Sequence, residues 1–390
     1  MLKGLVLIIG TLGATAVPAA TWQVESVEQS GAGKFSSLKV DQSGNVHLVY
    51  VIDEQQALLK YGFWDHALKR WFGMAVAPGA SFPWLVLDSN QHPRVSWADA
   101  GSILGTKLHY AYWDGIAWKK EAIPLTAQNV AFLTSIALDN HDNPSLSYYE
   151  VEGPKGSGFR VRMRVVTWNG KYWEVRTVDG SNQSGKFNSL AADAQGRIHL
   201  AYANMNAGTA GVRYSVFDGN SWSAPELVED YRVSREYFGW GLNETVDSSG
   251  DPHLVYFNYS HSAVKYAKRK NGRWQTEVVE ELGGVGYPDR NSIALDGQGR
   301  PFISYFDAKR GELHLAHREG EKWVVETVDR NGAGYTSSVQ VSQDTVWISY
   351  MDEPNSALKV AHAPLSEFAP ATTSQVRGAE RAVASPGLRP

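Results

Sequence analysis

One tryptophan recurs along this chain at a near-constant interval, and that regularity constrains the fold more than any other feature. It stands at Trp22, Trp71, Trp118, Trp173, Trp222, Trp274 and Trp323, with spacings of 49, 47, 55, 49, 52 and 49 residues. Each interval repeats four phrases. The first is Trp-x-x-Glu-like, as at Trp22 to Glu25 and Trp323 to Glu326. The second is Ser-Leu-x-x-Asp-like, as at Ser37 to Asp41 and Ser292 to Asp296. The third is His-Leu-x-Tyr-like, as at His47 to Tyr50 and His253 to Tyr256, and the fourth resembles Leu108 to Gly115. A period of this length marks a repeat architecture in which each unit is one supersecondary motif.

Each phrase is a short alternating run rich in Val, Ile, Tyr and Trp, the composition of strands. Gly-containing turns separate the second phrase from the third, for example Ser43-Gly44-Asn45 and Gln298-Gly299-Arg300. Asp114-Gly115, Asn169-Gly170, Asp218-Gly219 and Asn271-Gly272 follow the fourth phrase. Asp-Gly and Asn-Gly are strong hairpin signals because glycine accepts the positive φ these turns require. Four antiparallel strands per repeat predict an all-β, seven-bladed β-propeller. The chain starts with a first-phrase strand at 22–27 and ends with phrases two to four at 338–361. The N-terminal strand is therefore expected to complete the last blade and close the ring, removing two open sheet edges.

The domain reading is a signal peptide over 1–20, the propeller over 21–365 and a disordered tail over 366–390. Lys3 precedes the apolar run GLVLIIGTLGA, and small residues fit cleavage after Ala16 or Ala19. The run is short for a membrane span, so the mature protein is expected to be secreted or periplasmic, without membrane insertion, and monomeric. With a net charge of -4 there is no global basic field for nucleic acid. The chain has no cysteine, so disulfides, thiolate metal sites and Cys nucleophiles are excluded. No cofactor and no metal site is expected.

The phrases spanning 293–307 and 108–115 resemble repeats of bacterial secreted propeller proteins of the sialidase-like (BNR-type) superfamily. The resemblance covers nearly the whole mature chain and implies the propeller fold. Sialidases carry Ser-x-Asp-x-Gly-x-Thr-Trp boxes and an arginine triad. Neither stands here, so their activity is not carried over. Similar propellers include polysaccharide lyases and lectins.

The repeats supply an internal test: a residue found in most blades is scaffold, and one unique to a blade is a candidate site. His47, His199 and His253 occupy one repeat position and so read as scaffold rather than metal ligands. The basic residues Lys60, His109, Arg164, Arg213, Lys265, His314 and Lys359 fall opposite Tyr50, Trp97, Tyr148, Tyr202, Tyr256, Tyr305 and Tyr350. Cation stems packed on aromatic faces explain that recurrence. The third phrase ends on an acid or amide, Asp53, Asp99, Glu150, Asn204, Asn258, Asp307 and Asp352. These groups either cap turns or ring the channel mouth, where they would bind a cation or sugar hydroxyls.

Blade-specific departures nominate the site. Blade 5 has an enlarged loop at 230–240 carrying Arg235, Tyr237 and Trp240. It also has Glu244 where other blades have an aliphatic residue on the innermost strand. Blade 6 has Tyr287, Asp289 and Arg290 in the matching loop. Tyr259 and His261 follow the third strand of blade 5, Trp84 replaces a serine in blade 2, and blade 3 carries a Gly-rich insertion at 150–160. Aromatics that stack on sugar faces, with arginine and carboxylates for hydroxyls or uronates, are what a glycan site requires. The alternative is that these residues close irregular gaps. Two functions follow as expectations. The first is non-catalytic binding of a glycan or extracellular protein through the loop-rich face, with Trp84, Arg235, Tyr237, Trp240, Tyr259, Tyr287 and Arg290 as contacts. The second is a polysaccharide-active enzyme, a glycosidase using Glu244 with Asp289 or a uronate lyase using Tyr237 or His261 as base.

Overall fold

The computed structural model describes residues 19–29, 31–52, 57–100, 107–125, 133–152, 160–206, 208, 210–231, 238–283, 290–342 and 344–368. They form a seven-bladed β-propeller of four-stranded antiparallel sheets. From innermost to outermost strand, blade 1 runs from Ala32–Val40 to Arg70–Ala77 and blade 2 from Ala80–Leu87 to Trp118–Ala122. Blade 3 runs from Ser135–Leu138 to Trp173–Asp179, and blade 4 from Ser184–Ala192 to Glu226–Asp230. Blade 5 runs from Phe238–Val246 to Arg273–Glu281, and blade 6 from Ser292–Leu295 to Lys322–Asp329. Blade 7 takes Ala333–Val341, Thr345–Asp352 and Ala357–Pro364, and its outermost strand is Gln23–Glu28, paired antiparallel with Ala357–Pro364.

The packed body continues through Phe368, beyond the boundary at 365 read from sequence. Leu365–Phe368 is a single 3-10 turn, and the fully buried Phe368 ring meets Phe302, His317 and Trp22 edge-on or tilted.

The recurrent phrases have three structural causes. The second-phrase aspartates shape the short turns between the first and second strands. Oδ1 of Asp41 accepts from the Ser43 and Asn45 N–H groups, and Asp193 and Asp296 repeat this in blades 4 and 6. The second-phrase serines lock the blades together. Each accepts a hydrogen bond from the backbone of the next blade: Ser37 from Leu85 N, Ser135 from Leu190 N, Ser189 from Glu244 N, Ser292 from Val339 N and Ser338 from Leu38 N. Asn243 Oδ1 does the same for Ile293 N. At about 1 kcal/mol each, these six bonds form a belt around the channel. It is interrupted where Trp84 stands.

The third cause is a clasp nearer the rim. The register sets each fourth-phrase cation directly opposite the third-phrase aromatic, as in Tyr50↔Lys60 and Tyr350↔Lys359. An acid on the outermost strand of the preceding blade then receives both. Glu28 takes Tyr50 and Lys60, Glu229 takes Tyr256 and Lys265, Glu280 takes Tyr305 and His314, and Asp329 takes Tyr350 and Lys359. Asp179 accepts from Tyr202 at 2.9 Å. Stacking of cation on ring is thus the smaller part of the recurrence; a shared carboxylate is the larger.

Candidate functional site

The innermost strands surround a channel containing a cavity of about 600 Å³. Its lining extends from Arg290 and Trp84 down to the exposed turn residues Ser248 and Gly297, so it opens on the face of the short turns. Toward the loop-rich face the channel narrows to a void of about 20 Å³ ringed by Phe35, Phe82, Leu133, Phe187 and Leu242. This collar arises from a bulge in the innermost strands. Phe35, Phe82, Leu133 and Phe187 all adopt positive φ, between 49° and 68°, and the strand register shifts beside Phe35, Phe82 and Phe187. Phe35 and Phe82 rings lie 4.1 Å apart.

Arg290 closes the channel at this level. The sequence placed it with blade 5 loops as a ligand contact. The structure instead sends its guanidinium across the channel to blades 1 and 2. It donates to the Ser36 carbonyl at 2.8 Å and the Phe35 and Pro83 carbonyls at 3.3 Å, and stacks over the Trp84 ring at 4.1 Å. The physical reason is the bulge: it takes these carbonyls out of the strand ladder, and a fork of fixed donors suits them. Burial lowers the Arg290 pKa to about 9, so it remains cationic at neutral pH. Trp84 and Arg290, both nominated from sequence, therefore meet each other.

Glu244 lies on the innermost strand of blade 5, where six other blades place an aliphatic residue. Its side chain is buried in the joint between blades 4 and 5. Oε1 accepts from Ala201 N at 3.1 Å, and Oε2 has no hydrogen-bond partner among the described residues. Burial pushes its pKa well above the usual carboxylate range, which favours the protonated form. His261 is exposed in the turn after the second strand of blade 5, Pro252–Asn258, its backbone N–H donating to Asn258 Oδ1 at 3.1 Å. Tyr259 is half-buried against the core shared by blades 5 and 6. Arg235, Tyr237, Tyr287 and Asp289 lie outside the described residues, as do the side chain of Trp240, most of the blade 3 insertion and Asp53.

The other acids near the cavity are satisfied by the protein. Burial opposes ionisation of Asp247, yet bonds from the Asp251 and Ser249 N–H groups, Lys268 and His253 hold it down to about 2. Asp296 pairs with Arg300. The histidines read as scaffold behave so: each of His47, His199 and His253 bridges an aspartate and a tyrosine, as in Asp193–His199–Tyr214 at 3.1 and 2.6 Å. Burial, with Lys268 adding, takes His253 down to about 4. Among the described residues no group of three or more His, Cys, Asp or Glu is disposed to hold a metal ion.

The described third-phrase acids and amides cap turns or balance charge. Asp307 accepts from the Lys309 N–H, and Asn204 from the Asn206 N–H. Blades 2 and 3 receive no acid at the clasp position, which in the preceding blades is Ala77 and Pro124, and there Asp99 pairs with His109 and Glu150 with Arg164. Blades 4 and 5 receive Asp179 and Glu229 from their neighbours, and the same position holds the amides Asn204 and Asn258.

One cavity residue escaped the sequence reading. Lys39 follows Leu38 on the innermost strand of blade 1 and lines the cavity. The signal was present: the matching positions are Val86, Ala137, Ala191, Thr245, Ala294 and Gln340, so a charged residue there is unique to blade 1.

No family model and no curated protein sequence matches the chain. Solved structures do. The polysaccharide lyase Uly1 superposes with a TM-score of 0.54 at 10% identity, covering 92% of this chain and 94% of its own. A polysaccharide lyase of the PL25 ulvan lyase family gives 0.54 at 11% identity over 85% and 95%. The α-L-arabinanase of Penicillium chrysogenum, complexed with arabinobiose, gives 0.51 at 11% identity over 90% and 99%. At these identities the likeness is one of fold. Among the described residues no helix is long and apolar enough to cross a membrane.

Proposed function

We propose that the chain is an exported propeller of the sialidase-like type that binds a glycan without transforming it. The observation that carries this reading is the fate of the acids around the channel. Glu244 is drawn into a blade joint, Asp247 is held by Lys268 and His253, and Asp296 by Arg300. A glycosidase needs two carboxyls facing one substrate bond about 5 to 9.5 Å apart, and these three have other work. The structural neighbours whose names denote action on polysaccharides support a carbohydrate ligand. Arg235, Tyr237, Trp240, Tyr259 and Tyr287 are the proposed contacts on the loop-rich face, and a monomer suffices for such a site.

The test is a glycan array on the mature protein, followed by incubation of each bound polysaccharide with watch kept for chain shortening and for unsaturated products. Binding that falls in Trp240→Ala, without new reducing ends, is the expected result. Release of products abolished by Asp289→Asn or Tyr237→Phe would replace this reading with the enzymatic one.

A further inference from the structure

The cavity that opens on the short-turn face contains a charge imbalance. Its two cationic side chains are Lys39 and Arg290. Arg290 is committed to backbone carbonyls and Trp84. Lys39 has no hydrogen-bond or ion-pair partner among the described residues. No carboxylate acts on either: the lowering of Lys39 to about 8 and of Arg290 to about 9 comes from burial alone. The acids that share the lining have other partners: Glu244, its pKa raised by burial, accepts from Ala201 N in the blade joint, and Asp247 and Asp296 are paired with Lys268 and Arg300.

Lys39 is half-buried at the cavity wall, and a cation there whose charge no nearby carboxylate takes up attracts a counter-ion. The site is also shaped for more than an ion. Most matching positions carry Ala or Thr, which keeps the wall thin, while blade 7 places Gln340 beside Lys39 and blade 5 contributes Asn243 and Thr245 to the lining. The volume of about 600 Å³ falls within the range of small-molecule sites.

We propose that this cavity binds an oxyanion carried by a sugar, a uronate carboxylate or a sulfate, with Lys39 as the cation that meets it and entry from the short-turn face. The site is separate from the loop-face contacts, at the opposite end of the channel. An oxyanion beside Lys39 restores the charge balance that the fold leaves open. The groups around Lys39 are His47 opposite it in the sheet, Asp41 bonded to His47, and Glu244, Asp247, Asp296 and Arg290 in the lining of the same cavity. His47 is itself lowered by burial and so stays neutral above pH 7. Affinity is therefore expected to fall as pH rises from 7 through about 8, where Lys39 loses its proton.

The experiment is calorimetry of the full mature chain with sodium glucuronate, sodium sulfate and neutral glucose. Lys39→Gln is the test variant; it introduces the side chain that blade 7 already carries at this position, and its thermal midpoint verifies folding. Lys39→Arg retains the charge. Binding of either anion but not glucose, weakened about tenfold or more in Lys39→Gln, a change of about 1.4 kcal/mol, and kept in Lys39→Arg, is the expected result. Glucuronate alone marks recognition of the sugar; sulfate as well marks the oxyanion as sufficient. Equal binding of glucose, binding unchanged in folded Lys39→Gln, or no binding of either anion overturns the proposal. Trp240→Ala leaves the expected signal intact, so failure here and failure of the loop-face reading are told apart.

Discussion

Two of the joints that depart from the repeat do so in opposite ways. Between blades 4 and 5 the departure is Glu244, which points into the joint. Between blades 2 and 3 it is Trp84, which faces the channel. The first joint keeps every recurrent fastening: Ser189 receives Glu244 N and the Asn243 amide, Glu229 clasps Tyr256 and Lys265, and the Tyr214 ring meets Trp274 edge-on. Among the described residues the second has no belt bond and no acid at the clasp position, where Pro124 stands. It is joined instead by Thr134 to the Phe82 carbonyl, Ser89 to Asp142, and the Tyr110–Trp173 contact. The difference teaches that a blade-specific residue is not by that fact a ligand contact. Inside a joint it is absorbed by neighbouring backbone, as Glu244 is by Ala201. In the channel it is available to any other blade, as Trp84 is to Arg290.

The strongest test of the contrast is Glu229→Gln. It leaves Lys265 without its carboxylate in a mostly buried clasp, and a loss of about 2 to 3 kcal/mol is expected, below the full figure for a buried pair because both groups keep some exposure. Thermal and urea unfolding read it. A loss as small as that of an exposed pair would mean the clasps do not set the strength of the joints.

Glu244→Leu, which restores the repeat, is expected to stabilise by about 1 to 3 kcal/mol at pH 7. The sign follows from the raised pKa. Below about pH 4.3, the ordinary glutamate value, both folded and unfolded chains hold the proton and the group is without a pH penalty. As pH rises, the unfolded chain ionises first and wild-type stability falls. The advantage of the leucine variant should therefore be smallest near pH 4 and grow toward pH 7 by up to about 1.4 kcal/mol per unit. A difference flat with pH would show that Glu244 is ionised in the fold.

The smallest effects should separate the joints most cleanly. Ser189→Ala removes the acceptor of a buried N–H, at a cost of about 1 to 2 kcal/mol. Ser89→Ala, in an exposed turn, should stay within about 0.5 kcal/mol. Equal losses would make the belt no more important than a surface contact.

Much of this architecture was legible without coordinates. The seven tryptophans, the Asp-containing turns and the cation opposite each third-strand aromatic are local facts, because strand alternation and turn chemistry act over a few residues. The six-membered belt was visible as a recurrent serine, although not as an inter-blade bond. Glu244 was recognised as a departure, yet its direction depended on a bulge beside Gly241, where φ is 58°. A shift of one residue in a strand exchanges its two faces, and no local pattern in 238–246 announces it. Lys39 was missed because a lysine next to an alternating run reads as an ordinary solvent-facing position.

The amino-acid sequence by itself determined the blade count, the strand order within each blade and the chemistry of the turns, since each depends on neighbours a few positions away. The tertiary structure alone decided that Arg290 spans the channel to Trp84, that Glu244 is enclosed in a joint, and that Lys39 stands in a cavity without a counter-charge. These are relations between blades far apart in the chain. They exist only once the ring has closed and the bulged strands have turned particular carbonyls and side chains toward a common axis.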